Sequence, residues 1–326
     1  MKFEILDPRH DPEPACWARL RDRAGLRADW AWDVLTVQAW GARAPLLVTL
    51  VHNGGEPVGV VVAGWAGIRP RRASFAPRGR PRVGALHVHS PGSTSLPGWW
   101  STVDSRALFP EYVRAMRREL GPGCLGAVVR QVSDAGALGA RWSRPTEPLW
   151  TISVDGWQDR DGWLRTLDKK RRSNLRVITR QIEASTVVCH SDVEDPAAVT
   201  ALLRLNAAKY ASRLMPPAPQ LTAYLTALLR HPDVVVMRYS DRETGALLGF
   251  GTLFDHPEWP LWRHWSMVPI SDGGVRNLYF HHFGKLVDWA VAQGKRGIVL
   301  GKGNGSVKGS LGGRAAEQFA VALPGW

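Results

Sequence analysis

The sequence predicts an α/β fold of the α+β type, in which helices pack on mixed sheets. The fold is divided into two tandem domains. Three observations predict this fold. The chain has 326 residues, about twice the length of a common domain. Apolar residues make up 44% of it, which is enough for two hydrophobic cores and too much for a disordered chain. The order of strands and helices in the second half also recurs, nearly unchanged, in the first half.

The second half has the clearer pattern, β-α-α-β-β-β-α-β-α-β. Short β-branched runs indicate the strands, and apolar residues at spacings of three and four indicate the helices. Asp195 is a typical helix N-cap, and Gly294 is a typical helix end. The predicted elements are a strand over 186–190, helices from 195 and over 221–229, strands over 234–239, 247–255 and 261–268, a helix over 275–291, a strand over 297–300, a short helix and a strand over 318–323.

The first half repeats that order. Asn53, Gly54 and Gly55 mark the turn of a hairpin. The predicted elements are helices over 14–24 and 29–40, hairpin strands over 46–51 and 58–65, a strand over 85–89, a helix over 106–120, a strand over 125–129, a short helix over 134–141 and a strand over 149–154. This self-similarity predicts a duplicated domain. We expect an N-terminal domain over 1–154, a basic linker helix over 155–184 and a C-terminal domain over 185–326.

The net charge of +13 is spread over both halves. Residues 1–150 hold 20 basic and 13 acidic side chains, and residues 151–326 hold 22 and 16. Arg outnumbers Lys by 34 to 8. Arginine forks match phosphate groups, so a polyanionic partner such as RNA would explain this balance. Codon usage in a GC-rich genome would explain it equally well.

Two basic segments are candidates for contacts with RNA. The linker helix places Leu and Ile on one face and basic residues on the rest, with no acidic residue between them. A plain solvated helix is the alternative for this segment. An Arg-rich loop with Pro and Gly follows the first hairpin, and it could equally be a solvated loop. The candidate nucleic-acid-binding residues are Arg71, Arg72, Lys169, Lys170, Arg171, Arg172 and Arg176.

Several classes of protein and site are not indicated. The longest apolar stretch is about half of a membrane span, and the first ten residues lack the apolar core of a secretory signal. Three cysteines without a C-x-x-C motif predict neither a disulfide scaffold nor a cysteine zinc site, and they fit a reducing cytoplasm. His87 and His89 lack an evident third ligand, so we predict no metal site.

The element order resembles the GNAT acyltransferase fold, and a tandem of two such domains resembles the Fem-type aminoacyl transferases of bacteria. Two segments carry the likeness. The run LDKKRRSNLRVITRQIE looks like the linker helix of the family. The run FHHFGKLVDWAVAQGKRGIVLGKGNGSVKGSLGG is similar to the family's ending of helix, strand, glycine turn and lysine, and that lysine is Lys308 here. The likeness covers about residues 157–323 well and the first half only in pattern.

The resemblance also implies where a cofactor or an acyl carrier would bind. GNAT enzymes hold the pyrophosphate of acetyl-CoA with an Arg/Gln-x-x-Gly-x-Gly/Ala loop at the start of the long helix. This chain has Ser-Asp-Gly-Gly-Val-Arg-Asn at residues 271–277, with an acidic residue where an anion would bind. The candidate carrier-binding residues are Gly273, Gly274, Arg276 and Lys302. Fem-type enzymes take the acyl group from aminoacyl-tRNA and need no bound cofactor.

Acyl transfer to an amine requires a base, donors to the carbonyl oxyanion and a proton for the leaving group. In this fold the reactants meet in a gap between strands. Asp255 could accept the amine proton or could be a turn carboxylate, and His264 could do the same or pack within its strand. Lys308 could stabilise the oxyanion or bind a phosphate, or it could be solvated. Tyr279 could protonate the leaving group, although its helical spacing also suits the core.

We therefore expect an acyltransferase that moves an aminoacyl group from aminoacyl-tRNA to the amine of a small-molecule or peptide-like acceptor. Two alternatives stay open. One is an N-acetyltransferase of the GNAT type that uses acetyl-CoA. The other is a non-catalytic RNA-binding protein on the same scaffold. The expected location is the cytoplasm of a bacterium, and the expected partner is tRNA. The sequence selects neither an acceptor nor an oligomeric state.

Overall fold

The chain folds into two units of mixed α/β structure. The computed structural model describes residues 1–42, 46–67, 83–140, 142–209 and 221–325. Contacts divide the chain into a first unit of Met1–Leu149 with Ala316–Trp326 and a second unit of Trp150–Ala315. The boundaries expected from the sequence differ in two places: the first unit breaks off at Leu149 rather than at 154, and most of the last strand belongs to the first unit rather than to the second domain. No helix in the described ranges is long and apolar enough to cross a membrane.

The first unit is built on a mixed sheet. Its strands are β1 (Lys2–Leu6), β2 (Leu46–Asn53), β3 (Glu56–Gly67), β4 (Gly84–Val88), β5 (Trp99–Ser101), β6 (Cys124–Val132) and the start of β7 (Trp142–Ser153). Its helices are α1 (Trp17–Ala24), α2 (Trp32–Gly41) and α3 (Ser105–Leu120). The strand order is β1-β2-β3-β4-β6 followed by the last strand of the chain, and β5 pairs with β3. Apolar clusters cover both faces of this sheet, which completes a core.

The second unit repeats the architecture. Its helices are α4 (Arg160–Thr166), α5 (Lys169–Glu183), α6 (Pro196–Lys209), α7 (Thr222–Leu228), α8 (Leu278–Ala292) and α9 (Gly305–Ser310). Its strands are β8 (Val187–His190), β9 (Val234–Asp241), β10 (Leu247–Phe254), β11 (Leu261–Met267), β12 (Gly297–Gly301) and the first residues of β13 (Arg314–Pro324). The sheet order is β12-β11-β10-β9-β8, with Trp150–Ser153 of β7 beside β12. Helices α4, α5 and α8 share one apolar cluster, and α6 and α7 share another.

The sequence predicts most of these elements, and the differences have local causes. Strand β1 was missed because it is an edge strand with the charged residues Lys2 and Glu4 at alternate positions, and β5 was missed because it has only three residues. The stretch over 134–140 is a turn rather than a helix. The single predicted linker helix is two helices, because Asp168 accepts a hydrogen bond from the N–H of Arg171 and caps a new helix there. Helix α8 begins at Leu278 because Asn277 has a left-handed φ of 66°.

Candidate functional site

A gap between β11 and β12 is the main feature of the second unit. The two strands run parallel, and only Leu261 and Val299 face each other in register. The Val299 N–H donates to the carbonyl of Pro260, so the strands are joined at this end and part towards Met267. The matching pair in the first unit, β4 and β6, keeps four partners in register. Within the described residues, the second unit is therefore the one with an open strand pair.

A β-bulge shapes the β11 side of this gap. Thr252 pairs with His264 and Leu253 pairs with Trp262, so Arg263 is left as the extra residue on β11. Without a bulge, Trp262 and Trp265 would point to opposite faces of the sheet. With it, both pack against Tyr279 of α8, with ring centroids 5.4 and 6.0 Å apart. The bulge thus sets an aromatic wall beside the gap.

A buried histidine fixes that wall. The His282 ring stacks on Trp265 at 4.2 Å and 18°, and its Nδ1 lies 2.9 Å from the hydroxyl of Tyr239. Burial, and then the neighbouring His281, hold the pKa of His282 well below its ordinary value. Gly251 makes room for the ring, because a Cβ there would lie 2.5 Å from Cε1. The stack therefore depends on a neutral imidazole and a glycine.

Lys308 lies beside the end of β12. The residue is 5% exposed, and its Nζ donates to the carbonyl of Lys302 at 2.8 Å. Lys302 comes directly after β12, on the side where the gap opens. The indole of Trp150 lies against α9, where a Cβ on Gly305 would come within 2.7 Å of it. A buried ammonium is stable only when it is hydrogen-bonded, so the fold holds this cation at a defined position.

The other two acid–base candidates have structural partners. Asp255 follows β10 and pairs with Lys295 at 2.7 Å, at the end where β11 and β12 are joined. His264 is buried and shares a hydrogen bond with Thr252 at 2.8 Å. Burial, and then Arg263, hold the pKa of His264 well below its ordinary value, so this ring is neutral. Asp255 is therefore better explained as a turn carboxylate, and His264 as a residue packed within its strand, than as a base in the gap.

The glycine turn before α8 uses its own amides. The N–H groups of Asp272 and Gly274 donate to the carbonyl of Pro269, and that of Gly273 donates to Ile270. A Cβ on Gly274 would lie 1.9 Å from the Val268 carbonyl, so the turn folds tightly onto the end of β11. Arg276 is exposed. These three amides are thus committed within the turn, which disfavours them as ligands of a pyrophosphate.

Helix α5 divides its predicted basic residues into two groups. Lys169 and Lys170 are exposed, and they line an open depression of about 670 Å³ together with Ser173, Asn174 and Val177. Arg171 instead contacts the hydroxyl of Ser310 and lies 4.8 Å from the centre of the Phe280 ring.

The remaining predicted basic residues are more varied. Arg176 pairs with Asp161 at 3.0 Å, an acidic partner from α4 that the spacing within α5 does not reveal. Arg172 is half-buried. Arg71 and Arg72 lie outside the described residues. Among the predicted residues of α5, the two lysines are therefore the best placed for an external anion.

Sequence reasoning missed Trp265, His282, Tyr239 and Gly251. A signal existed in the glycines of β10, since Gly249 and Gly251 interrupt a strand whose other residues are apolar except for Thr252. Glycine inside a strand often marks the close approach of another group. Here the approaching groups are Leu278 and His282 of α8.

Comparison with known proteins identifies the fold. No protein-family model matches the chain, and no curated protein matches its sequence. The structure of L-PGS from Bacillus licheniformis is similar, with a TM-score of 0.60 and 13% identity over 95% of this chain and 92% of that one. FemX is similar with a TM-score of 0.60 and 10% identity over 98% and 97%.

A third similar structure is the C-terminal domain of a putative lysylphosphatidylglycerol synthetase from Agrobacterium fabrum. Its TM-score is 0.58, with 12% identity over 94% of this chain and 92% of that chain. At these identities the likeness concerns the fold. The mixed α/β fold, which the resemblance to Fem-type proteins implies, is thereby confirmed.

Proposed function

We propose that the protein is an acyltransferase that moves an aminoacyl group from aminoacyl-tRNA to the amine of a small-molecule or peptide-like acceptor. The observation that carries the proposal is the open strand pair β11–β12 with the Lys308 ammonium held at the end of β12. A gap of this kind gives two reactants access to one strand edge. A fixed cation beside it supplies what the reaction needs most, stabilisation of negative charge on the carbonyl oxygen.

The proposed reaction forms one bond and breaks one. The acceptor nitrogen attacks the ester carbonyl of the aminoacyl group, and the carbon–oxygen bond to the ribose breaks. Lys308 stabilises the oxyanion while the carbon is tetrahedral. The proton lost by the nitrogen balances the proton gained by the ribose oxygen. Tyr279, which packs against Trp262 and Trp265, is the candidate donor to that oxygen.

Two features support aminoacyl-tRNA over acetyl-CoA as the donor. The amides of Asp272, Gly273 and Gly274 are committed within their own turn, which weakens the case for a pyrophosphate there. Lys169 and Lys170 expose their charges on α5, where they suit the phosphates of an RNA. The names of the similar structures, FemX and lysylphosphatidylglycerol synthetase, fit a transferase of this class.

A donor-consumption assay tests the proposal. The protein is incubated with a pool of aminoacylated tRNAs and, separately, with acetyl-CoA, each with and without mixed amine acceptors. We expect acceptor-dependent loss of the aminoacyl ester and no consumption of acetyl-CoA. Consumption of acetyl-CoA alone would establish the GNAT-type alternative. Tight tRNA binding without consumption under any acceptor would favour the non-catalytic RNA-binding alternative.

A further inference from the structure

Three arginines of α3 form a basic surface on the first unit that the sequence analysis did not single out. Arg117 and Arg118 lie three and four residues after Arg114, so both are next to it on one side of the helix. The opposite face is buried and includes Tyr112 and Met116. We refer to these three arginines as the α3 arginine face.

The guanidinium groups of this face are oriented by backbone carbonyls. Arg117 donates from Nη1 to the carbonyl of Gly325 at 2.8 Å. Arg114 and Arg118 donate from Nε to the carbonyls four residues earlier, at 3.3 and 3.5 Å. A guanidinium has five N–H donors, so each fork keeps donors for an anion. Among the described residues, no carboxylate lies within ion-pair distance of the three groups.

The α3 arginine face borders an open depression that could hold a ligand. Together with Pro122, the three arginines line an open depression of about 570 Å³. Arg114 and Arg118 are exposed and stand one turn apart, a spacing at which like charges repel. A helix end favours basic residues in its last turn, which accounts for Arg117 and Arg118 but leaves Arg114 without that explanation.

We infer that the α3 arginine face binds the phosphodiester backbone of RNA, as a second contact surface in addition to Lys169 and Lys170. The inference rests on the proposed function, in which RNA carries the acyl group. Planar forks match phosphate oxygens in pairs, and neutralised phosphates release counterions. An RNA backbone presents phosphates in series, which suits three oriented guanidiniums better than a single small anion does.

The test is the salt dependence of RNA binding by the full chain. The variant is Arg114→Gln with Arg118→Gln, which spares the contact of Arg117 with Gly325. The matched control is Arg19→Gln with Arg144→Gln, two exposed arginines of the first unit that remove the same charge. Lys169→Gln with Lys170→Gln reports the other surface. Affinity for uncharged tRNA is measured between 0.05 and 1 M salt, with circular dichroism as the check of folding.

We expect the slope of log affinity against log salt to fall by about 1.4 to 1.8 for the α3 variant, from about 0.7 to 0.9 per lost phosphate contact. This corresponds to roughly 25- to 60-fold weaker binding at 0.1 M salt, and the curves should converge near 1 M. The control should leave the slope nearly unchanged. Arg114→Lys with Arg118→Lys should keep most of the slope, since the charge remains.

Four outcomes would overturn the inference, and the last of them would also overturn the proposed function. If the α3 variant and its control weaken tRNA binding equally, the α3 arginine face contributes only through the net charge of the protein. Unchanged RNA binding with lost binding to vesicles of anionic lipid would assign the face to a membrane surface. If the α5 variant loses tRNA binding and the α3 variant does not, the inference fails while the proposed function stands. If wild-type protein binds tRNA without salt dependence, the RNA donor itself fails.

Discussion

Replacement of Lys308 by Met separates a catalytic cation from a structural one. The change removes the ammonium and keeps most of the side-chain volume. The carbonyl of Lys302 then loses a donor at 2.8 Å within a site that is 5% exposed. Hydrogen bonds to charged groups contribute about 1.5–3 kcal/mol, so the melting temperature should fall by roughly 3–12 °C. The protein should stay folded at 25 °C.

The effect on catalysis should be larger than the effect on folding. Loss of one oxyanion donor typically costs about 3–4 kcal/mol in the transition state, or 100- to 1000-fold in rate. An interaction made only in the transition state lowers kcat and leaves KM nearly unchanged. Lys308→Arg should restore part of the rate, because the charge remains on a wider, planar group. The assay is initial-rate kinetics with aminoacyl-tRNA at 25 °C, beside thermal unfolding.

Lys295→Met is the matched control. The Lys295 ammonium is also largely buried, with a 10% exposed side chain, and it pairs with Asp255 at 2.7 Å at the closed end of the strand pair. It should lower the melting temperature by a similar amount and leave kcat near the wild-type value. The reasoning is refuted if Lys308→Met, folded at 25 °C, turns over at near the wild-type rate. Lys308 would then be a structural residue, and its assignment by resemblance would be wrong.

Three further predictions concern the second unit. Burial first of all holds the pKa of His281 at about 4 and the pKa values of His264 and His282 well below 6.5, so the unfolded chain binds more protons than the folded one. Stability in urea titrations should therefore be lost as pH falls below about 6.5, with His281 alone contributing roughly 1 kcal/mol per pH unit near pH 5 and the other two acting in the same direction; a flat profile between pH 7 and 5 would contradict it. Gly251→Ala should destabilise by about 1–3 kcal/mol in chemical denaturation, because its Cβ would meet the His282 ring, and a variant as stable as wild type would show that the stack can shift. Asp255→Asn should lower stability and leave kcat intact in the same kinetic assay, whereas a 100-fold loss in folded protein would restore Asp255 as the base.

Local patterns predicted the elements, and they could not predict the contacts between them. Helix α5 could be predicted from the spacing of Leu175, Ile178 and Ile182, and the first hairpin from its turn residues. Both patterns involve only residues that are close together in the sequence. The partner of Arg176 is on another helix, and the sequence of α5 contains no trace of it. The positions of the basic residues along α5 therefore predicted more side chains available to an external anion than the structure shows.

The candidate site was predictable to different degrees. Lys308 was found through resemblance, since nothing in the spacing of a glycine turn identifies a buried ammonium. The gap could be expected from the fold, but the bulge at Arg263 depends on the pairing of β10 with β11. One unpaired residue reverses the alternation after it, so a strand read at period two puts Trp265 on the wrong face. For that reason the sequence did not predict that Trp262 and Trp265 form one aromatic wall with Tyr279.

The division of the chain has a consequence for its synthesis on the ribosome. The first unit includes Ala316–Trp326, and β13 pairs with β6 from Phe319 to Pro324. Every residue of the second unit is made before this strand emerges. The second unit can therefore begin to fold while the edge of β6 still lacks its neighbour, and an unpaired edge is prone to pair with other chains. The unit that is started first is completed last, so a nascent chain that already contains the whole second unit still exposes the edge of β6.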